Sequence, residues 1–257
     1  SATAVFGVKG AEGVILITTK RGRKGKPKLE VGYNVALKSI TKLPEKLNSY
    51  DGLDYRNRAI EHELAINEQG WGFYTPMEIL ERYQNQQPGD EYIFPDVDWT
   101  EVITRDFGQM HRANLNITGG TDFVQYFGSL SYLHDGDILN SGGAKNRPYK
   151  SRYAYDRFNF RTNLDLNVTE STVFSVNLAG YYGVKSDNFA SDSYIWDAIY
   201  KLAPNSYPVI HEPDGLLYDY TIWGYNPQMT QANNPMHRLN NTGVQQTNRS
   251  QILTDFR

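Results

Sequence analysis

Gly7, Gly10 and Gly13 stand evenly spaced in GVKGAEGVILITTKRG, near the start of the chain. Glycines cradle a phosphate when they follow a strand and open a helix as G-x-G-x-x-G, or when a Lys-Ser/Thr pair closes a P-loop. Here the spacing is G-x-x-G-x-x-G, the apolar run comes after the glycines, and no GK[ST] follows. Nucleotide chemistry is not indicated. His62-Glu63 lacks the second histidine of a zinc-binding H-E-x-x-H. His134, Asp135 and Asp137 are metal-ligand types, but the EF-hand frame fails after Asp137 and a strand-end turn accounts for them. The chain has no cysteine, hence no thiolate ligand or nucleophile. Order alone sets no carboxylate pair at glycosidase separation. The N-x-[ST] triplets at Asn116, Asn167, Asn240 and Asn248 matter only in a eukaryotic secretory setting. The sequence predicts no enzyme, no cofactor and no metal.

What remains to be positioned is an unusual stock of aromatic rings: 13% of 257 residues, with 19 tyrosines, beside a mean hydropathy of −0.59. The elements that carry them follow period two. In KLEVGYNVALK, Leu29, Val31, Tyr33, Val35 and Leu37 share one face, and Lys28, Glu30, Asn34 and Lys38 the other. RANLNITGG alternates likewise, and Gly119-Gly120-Thr121-Asp122 signals a tight turn. Val124, Tyr126, Leu130 and Tyr132 then oppose Gln125, Ser129 and Ser131, with Phe127 and Leu133 breaking the polar face. In RFNFRTNLDLNVT, Phe158, Phe160, Leu164, Leu166 and Val168 oppose Arg157, Asn159, Arg161, Asn163, Asp165 and Asn167. A fifth strand carries Phe174, Val176, Leu178 and Tyr182, and a sixth begins near Gln246.

Strands of ten residues or more exceed the usual five or six and suit a tilted crossing of a bilayer. A soluble β-sandwich with one wet face also alternates; the connections separate the two. They run long (39–110), short, long (136–154), short, long (183–245), the pattern of an outer-membrane barrel with extracellular loops and periplasmic turns. The expected fold is all-β, part of a large antiparallel transmembrane barrel, with Phe160 and Leu164 toward lipid and Asn159 and Asn163 toward the lumen. No apolar run approaches a membrane helix, the longest being about residues 13–17. A net charge of −3 gives no footprint for nucleic acid. Both ends read as cut, which predicts a segment of a longer protein.

The first loop carries short helices. Thr75-Pro76-Met77-Glu78 has the form of a capping box opening a helix through Tyr83, and 51–67 reads as another, with Leu53, Ile60, Leu64 and Ala65 on one side. In the third loop Trp196, Tyr200, Trp223 and Tyr225 are the candidate substrate-binding residues, because rings stack on sugar faces or against peptide side chains. Their alternative is to fold the loop on itself or to form a girdle at the membrane interface.

SATAVFGVKGAEGVILITTKRG closely resembles the end of the plug domain in the SusC/RagA family of TonB-dependent outer-membrane transporters. PDVDW at 95–99 resembles the family's aspartate-tryptophan segment, and NLNITGGTDFVQYFGSLSYLHDGD its second hairpin. The resemblance implies 1–27 as end of plug and linker, with 28–257 as the first five to six strands of a roughly 22-stranded barrel. Arg21–Lys26 would be a solvated linker. It also implies energised import of an oligomer, glycan or peptide, across the bacterial outer membrane. The implied partners are a SusD-like surface lipoprotein as lid and TonB-ExbB-ExbD, reached through a region preceding this segment. A soluble β-sandwich that binds carbohydrate or serves a structural role is the competing expectation.

Overall fold

The computed structural model describes residues 19–43, 45–63, 68–141, 152–188, 192–210, 223–224 and 233–257. The glycine-rich resemblance at 1–18, Leu64, Ala65 and Tyr225 lie outside the described residues. Alternation of apolar and polar residues produces six strands: β1 (Gly25–Lys38), β2 (Gly108–Gly120), β3 (Val124–Gly136), β4 (Ala154–Thr169), β5 (Thr172–Asn188) and β6 (Val244–Phe256). They form one sheet in chain order, and every neighbouring pair is antiparallel. A sandwich would need a second sheet across the apolar face; among the described residues there is none.

Turn chemistry fixes the register. Thr121 closes the β2–β3 turn: its N–H donates to Val124 O at 2.7 Å and its hydroxyl accepts from the Phe123 and Val124 N–H groups. Asn167 ties this turn to the next hairpin, donating from its side chain to Asp122 O at 2.6 Å and from its backbone to Phe123 O at 2.8 Å.

Register places the side chains in transverse rows. On the apolar face one row reads Tyr33, Ala113, Tyr132, Phe158, Tyr182 and Ser250; the next, farther from the loops, reads Val31, Leu115, Leu130, Phe160, Gly180 and Ile252. No protein layer covers them: Val31 is 76% exposed, and Leu29, Leu130, Phe158 and Ile252 are exposed as well. Phe127, which broke the pattern, is 5% exposed on the polar face. The expected linker is exposed at Arg21, Arg23, Lys24 and Lys26, and it is also anchored to the sheet. Residues 19–24 lie on the polar face: Asn163 Nδ2 donates to Lys20 O at 2.6 Å, Arg21 pairs with Asp165 at 2.6 Å, and Lys24 pairs with Asp122. Gly22 is buried there, and a Cβ at Gly22 would stand 2.2 Å from Tyr126 N. The apolar exception on β3 thus lies where the connector covers the sheet.

The adjacent residues His134 and Asp135 do not form a turn but lie within β3, pointing to opposite faces. Asp135 accepts from Lys38 at 2.5 Å, and His134 Nδ1 meets Asp156 at 2.7 Å on the other face. Their proximity in sequence is therefore not proximity in a site.

Candidate functional site

The three long connections fold together at one end of the sheet. The first carries α1 (Ser49–Glu63), a 3-10 turn (Glu68–Phe73), α2 (Met77–Gln84), α3 (Asp90–Ile93) and α4 (Trp99–Ile103). The third carries α5 (Asp192–Lys201) and α6 (Pro235–Asn241). One apolar core unites them: Trp99 and Ile103 from the first, Leu139 from the second, and Ile195, Ile199, Tyr207, Trp223, Met236 and Leu239 from the third.

Local sequence explains each placement. Asp98 caps α4 by accepting from Thr100 N and Glu101 N, which sets Trp99 pointing inward against Tyr207, edge to face at 5.1 Å. The indole Nε1 donates to Ala203 O at 3.3 Å. The second loop joins through Arg105 N to Ile138 O and Asn140 N to Ile103 O, each 2.7 Å. Asn234 has no exposed surface; it caps α6 by accepting from Met236 N, and its amide donates to Val209 O and Gly224 O at 3.0 Å. Gly224 approaches so closely that a Cβ would lie 1.6 Å from Pro208 O. Burial pushes the Tyr207 phenol up, and its hydroxyl donates to Asn233 O. The capping box at Thr75 does not form: the Thr75 backbone is held both ways by the Asn57 side chain, its hydroxyl accepts from Arg56, and α2 starts after Pro76 instead.

The predicted aromatic site residues separate. Trp223 is 4% exposed inside the shared core and presents no ring face to a ligand. Trp196 and Tyr200 lie one turn apart on the outer side of α5, at 36% and 60% exposure. Tyr200 also lines a 390 Å³ groove between α1 and α5, with Leu53, Arg56 and Asn205. Exposed rings in the first loop, Trp71 stacked on Tyr74 at 4.7 Å and the neighbouring Phe73, were missed because a short 3-10 turn carries no period to read.

The second concavity is the polar face of the sheet. Lys20, Asn116, Ser129, Arg157, Asn159 and Arg161 line a groove of 540 Å³ together with Tyr181 and Gln251. Arg157 donates to Asn159 Oδ1 at 2.8 Å and lies 4.2 Å over the Tyr181 ring. This arrangement offers guanidinium, amide and aromatic contacts to a polar or anionic oligomer.

No family model matches the chain. It is 27% identical over 182 residues to TonB-dependent receptor P26 of Formosa agariphila, covering 69% of this chain and 15% of that protein. It is 28% identical over 141 residues to TonB-dependent receptor SusC of Bacteroides thetaiotaomicron, covering 55% and 12%. The structure of the RagAB peptide transporter shares the fold, with a TM-score of 0.54, 14% identity, and coverage of 87% of this chain and 26% of that one. The chain is thus similar in sequence to TonB-dependent receptors, SusC among them, and similar in fold to RagAB. These relatives are receptors and transporters rather than enzymes, and the chain spans about 15% of the length of the curated relatives it matches. Its sheet is part of a large antiparallel β-barrel.

Proposed function

We propose that these residues form barrel wall and outer loops of an outer-membrane importer energised through TonB. The carrying observation is the uncovered apolar face of the sheet. About ten positions of β3, from Val124 to His134, repeat the outward pattern; at about 3.4 Å each and a tilt of 35–45° they cover roughly 25 Å of height. That matches the apolar band of a transmembrane barrel, and the row of Tyr33, Tyr132, Phe158 and Tyr182 toward the loops has the composition of its aromatic girdle. The loop cap then stands outside the cell, and the polar face lines the lumen. Residues 1–27 end the plug, and 28–257 enter the barrel. The cargo is an oligomer, with a SusD-like lipoprotein over the cap and Trp196 and Tyr200 among its contacts.

The test is membrane extraction of the full-length protein from its host, with heat-modifiable gel mobility. Detergent-dependent extraction and a folded form that migrates apart from the boiled one are expected. Free solubility in water without membrane association refutes the proposal.

A further inference from the structure

One transverse row of the polar face, read across all six strands, is Asn34, Arg112, Leu133, Arg157, Gly183 and Arg249. Arginine recurs on every second strand. Neighbouring strands lie about 4.8 Å apart, so the three guanidinium stems repeat at about 10 Å. The positions between them are uncharged, and the next row down is Gly32, Asn114, Ser131, Asn159, Tyr181 and Gln251.

The acids of this face are already spoken for. Glu30 pairs with Lys28, Asp135 with Lys38, Asp165 with Arg21, Asp187 with Lys185 and Asp255 with Arg257. Among the described residues no ion pair involves Arg112, Arg157, Arg161 or Arg249. Arg112, Arg161 and Arg249 are exposed, and Arg157 is half-buried against Tyr181. A planar guanidinium left open suits carboxylate or sulfate bidentately. The amide- and hydroxyl-rich row beneath both donates and accepts, as sugar hydroxyls require. Apolar surface also lines the groove, at Phe127, Ala179 and Leu253, and can take the ring faces of a sugar, so an acidic peptide is the competitor that the test must include.

From this register we infer that the wall formed by β2, β4 and β6 is an arginine rail for an acidic oligosaccharide, one bearing carboxylate or sulfate groups at intervals near the arginine repeat. The inference rests on the proposed function, since it requires the polar face to line an import path.

The test uses the detergent-purified full-length barrel. Its probes are oligogalacturonate, sulfated malto-oligosaccharide, the neutral malto-oligosaccharide of the same length, and oligoglutamate. At least one acidic saccharide should bind more tightly than the neutral one, and the difference should shrink with added salt. Replacing Arg112, Arg157 and Arg249 together by glutamine should weaken acidic binding by about tenfold for each arginine engaged, leaving the neutral saccharide unchanged. The Arg→Lys triple variant, which keeps charge but loses the fork, should fall between. Heat-modifiable mobility confirms that each variant assembles. Equal binding of acidic and neutral saccharides, or unaltered acidic affinity in the glutamine variant, overturns the rail. Oligoglutamate binding above both acidic saccharides overturns the saccharide assignment. A wild-type protein that forms no heat-modifiable barrel refutes the importer proposal itself; a barrel that binds only neutral saccharide refutes the rail alone.

Discussion

The Asn163 side chain on β4 donates to the main-chain carbonyl of Lys20 across 2.6 Å, joining residues 143 apart in sequence. The pattern of alternation predicts Asn163 to be an open lumenal position that would accept a larger side chain. Its burial beneath the connector means it does not. Asn163→Arg should therefore release 19–24 from the sheet, whereas Asn159→Arg, in the open groove, should be tolerated. Protease nicking near Arg21 and Arg23 in intact membranes distinguishes the two variants.

Opposite faces should respond oppositely to charge. Leu130→Arg on the uncovered apolar face should cost about 2–4 kcal/mol in barrel stability, and Ser131→Arg on the polar face far less. Equal losses of folded barrel on semi-native gels would contradict the assignment of the faces.

Gly22 has no room for a methyl group against the β3 backbone. Gly22→Ala should cost about 1–3 kcal/mol through overpacking, read as a lower thermal midpoint of the heat-modifiable form.

The sheet was legible in the sequence because one wet and one apolar face impose period two, and the long-short sequence of connections gave its order. Phe127 was the exception, and a connector placed by tertiary structure explains it. The loop cap was not legible. Trp99 finds its acceptor 104 residues away at Ala203, and nothing periodic announces a core assembled from three separate loops. Thr75 misled because Asn57 and Arg56 satisfy groups that a helix cap would otherwise use. The alignment of Arg112, Arg157 and Arg249 depends on strand register, which alternation alone does not supply.

Ring truncations in the cap should sort by burial. Trp99→Ala should cost about 3–5 kcal/mol of cap stability and raise protease sensitivity in all three loops while the strands stay protected. Trp223→Ala should act the same way. Trp196→Ala and Tyr200→Ala should leave stability within about 0.5 kcal/mol and instead weaken oligomer binding by the detergent-purified protein; unchanged affinity in both removes α5 from the binding surface.

Acid should loosen the first loop before the sheet. Asp90 is buried, and the Arg82 guanidinium followed by the Gln87 N–H holds its carboxyl below the ordinary value of 3.8. A depressed acid contributes stability above its unfolded pKa that is lost as pH falls through its lower folded value. Amide exchange at Asn85 and Phe94, corrected for intrinsic rates, should rise below about pH 4 in the native protein. Asp90→Asn should abolish that dependence.

The common core of the three loops also limits how binding properties can be exchanged between barrels. The described parts of the three loops that share Trp99, Ile103, Leu139, Ile195, Tyr207, Trp223 and Leu239 act as one cassette, because replacing a single loop leaves the other two facing a mismatched interior. Grafts of the whole cassette should assemble, while single-loop chimeras and randomised single-loop libraries should be dominated by collapsed caps. The outer side of α5, around Trp196 and Tyr200, is the part of the cassette open to variation without that penalty.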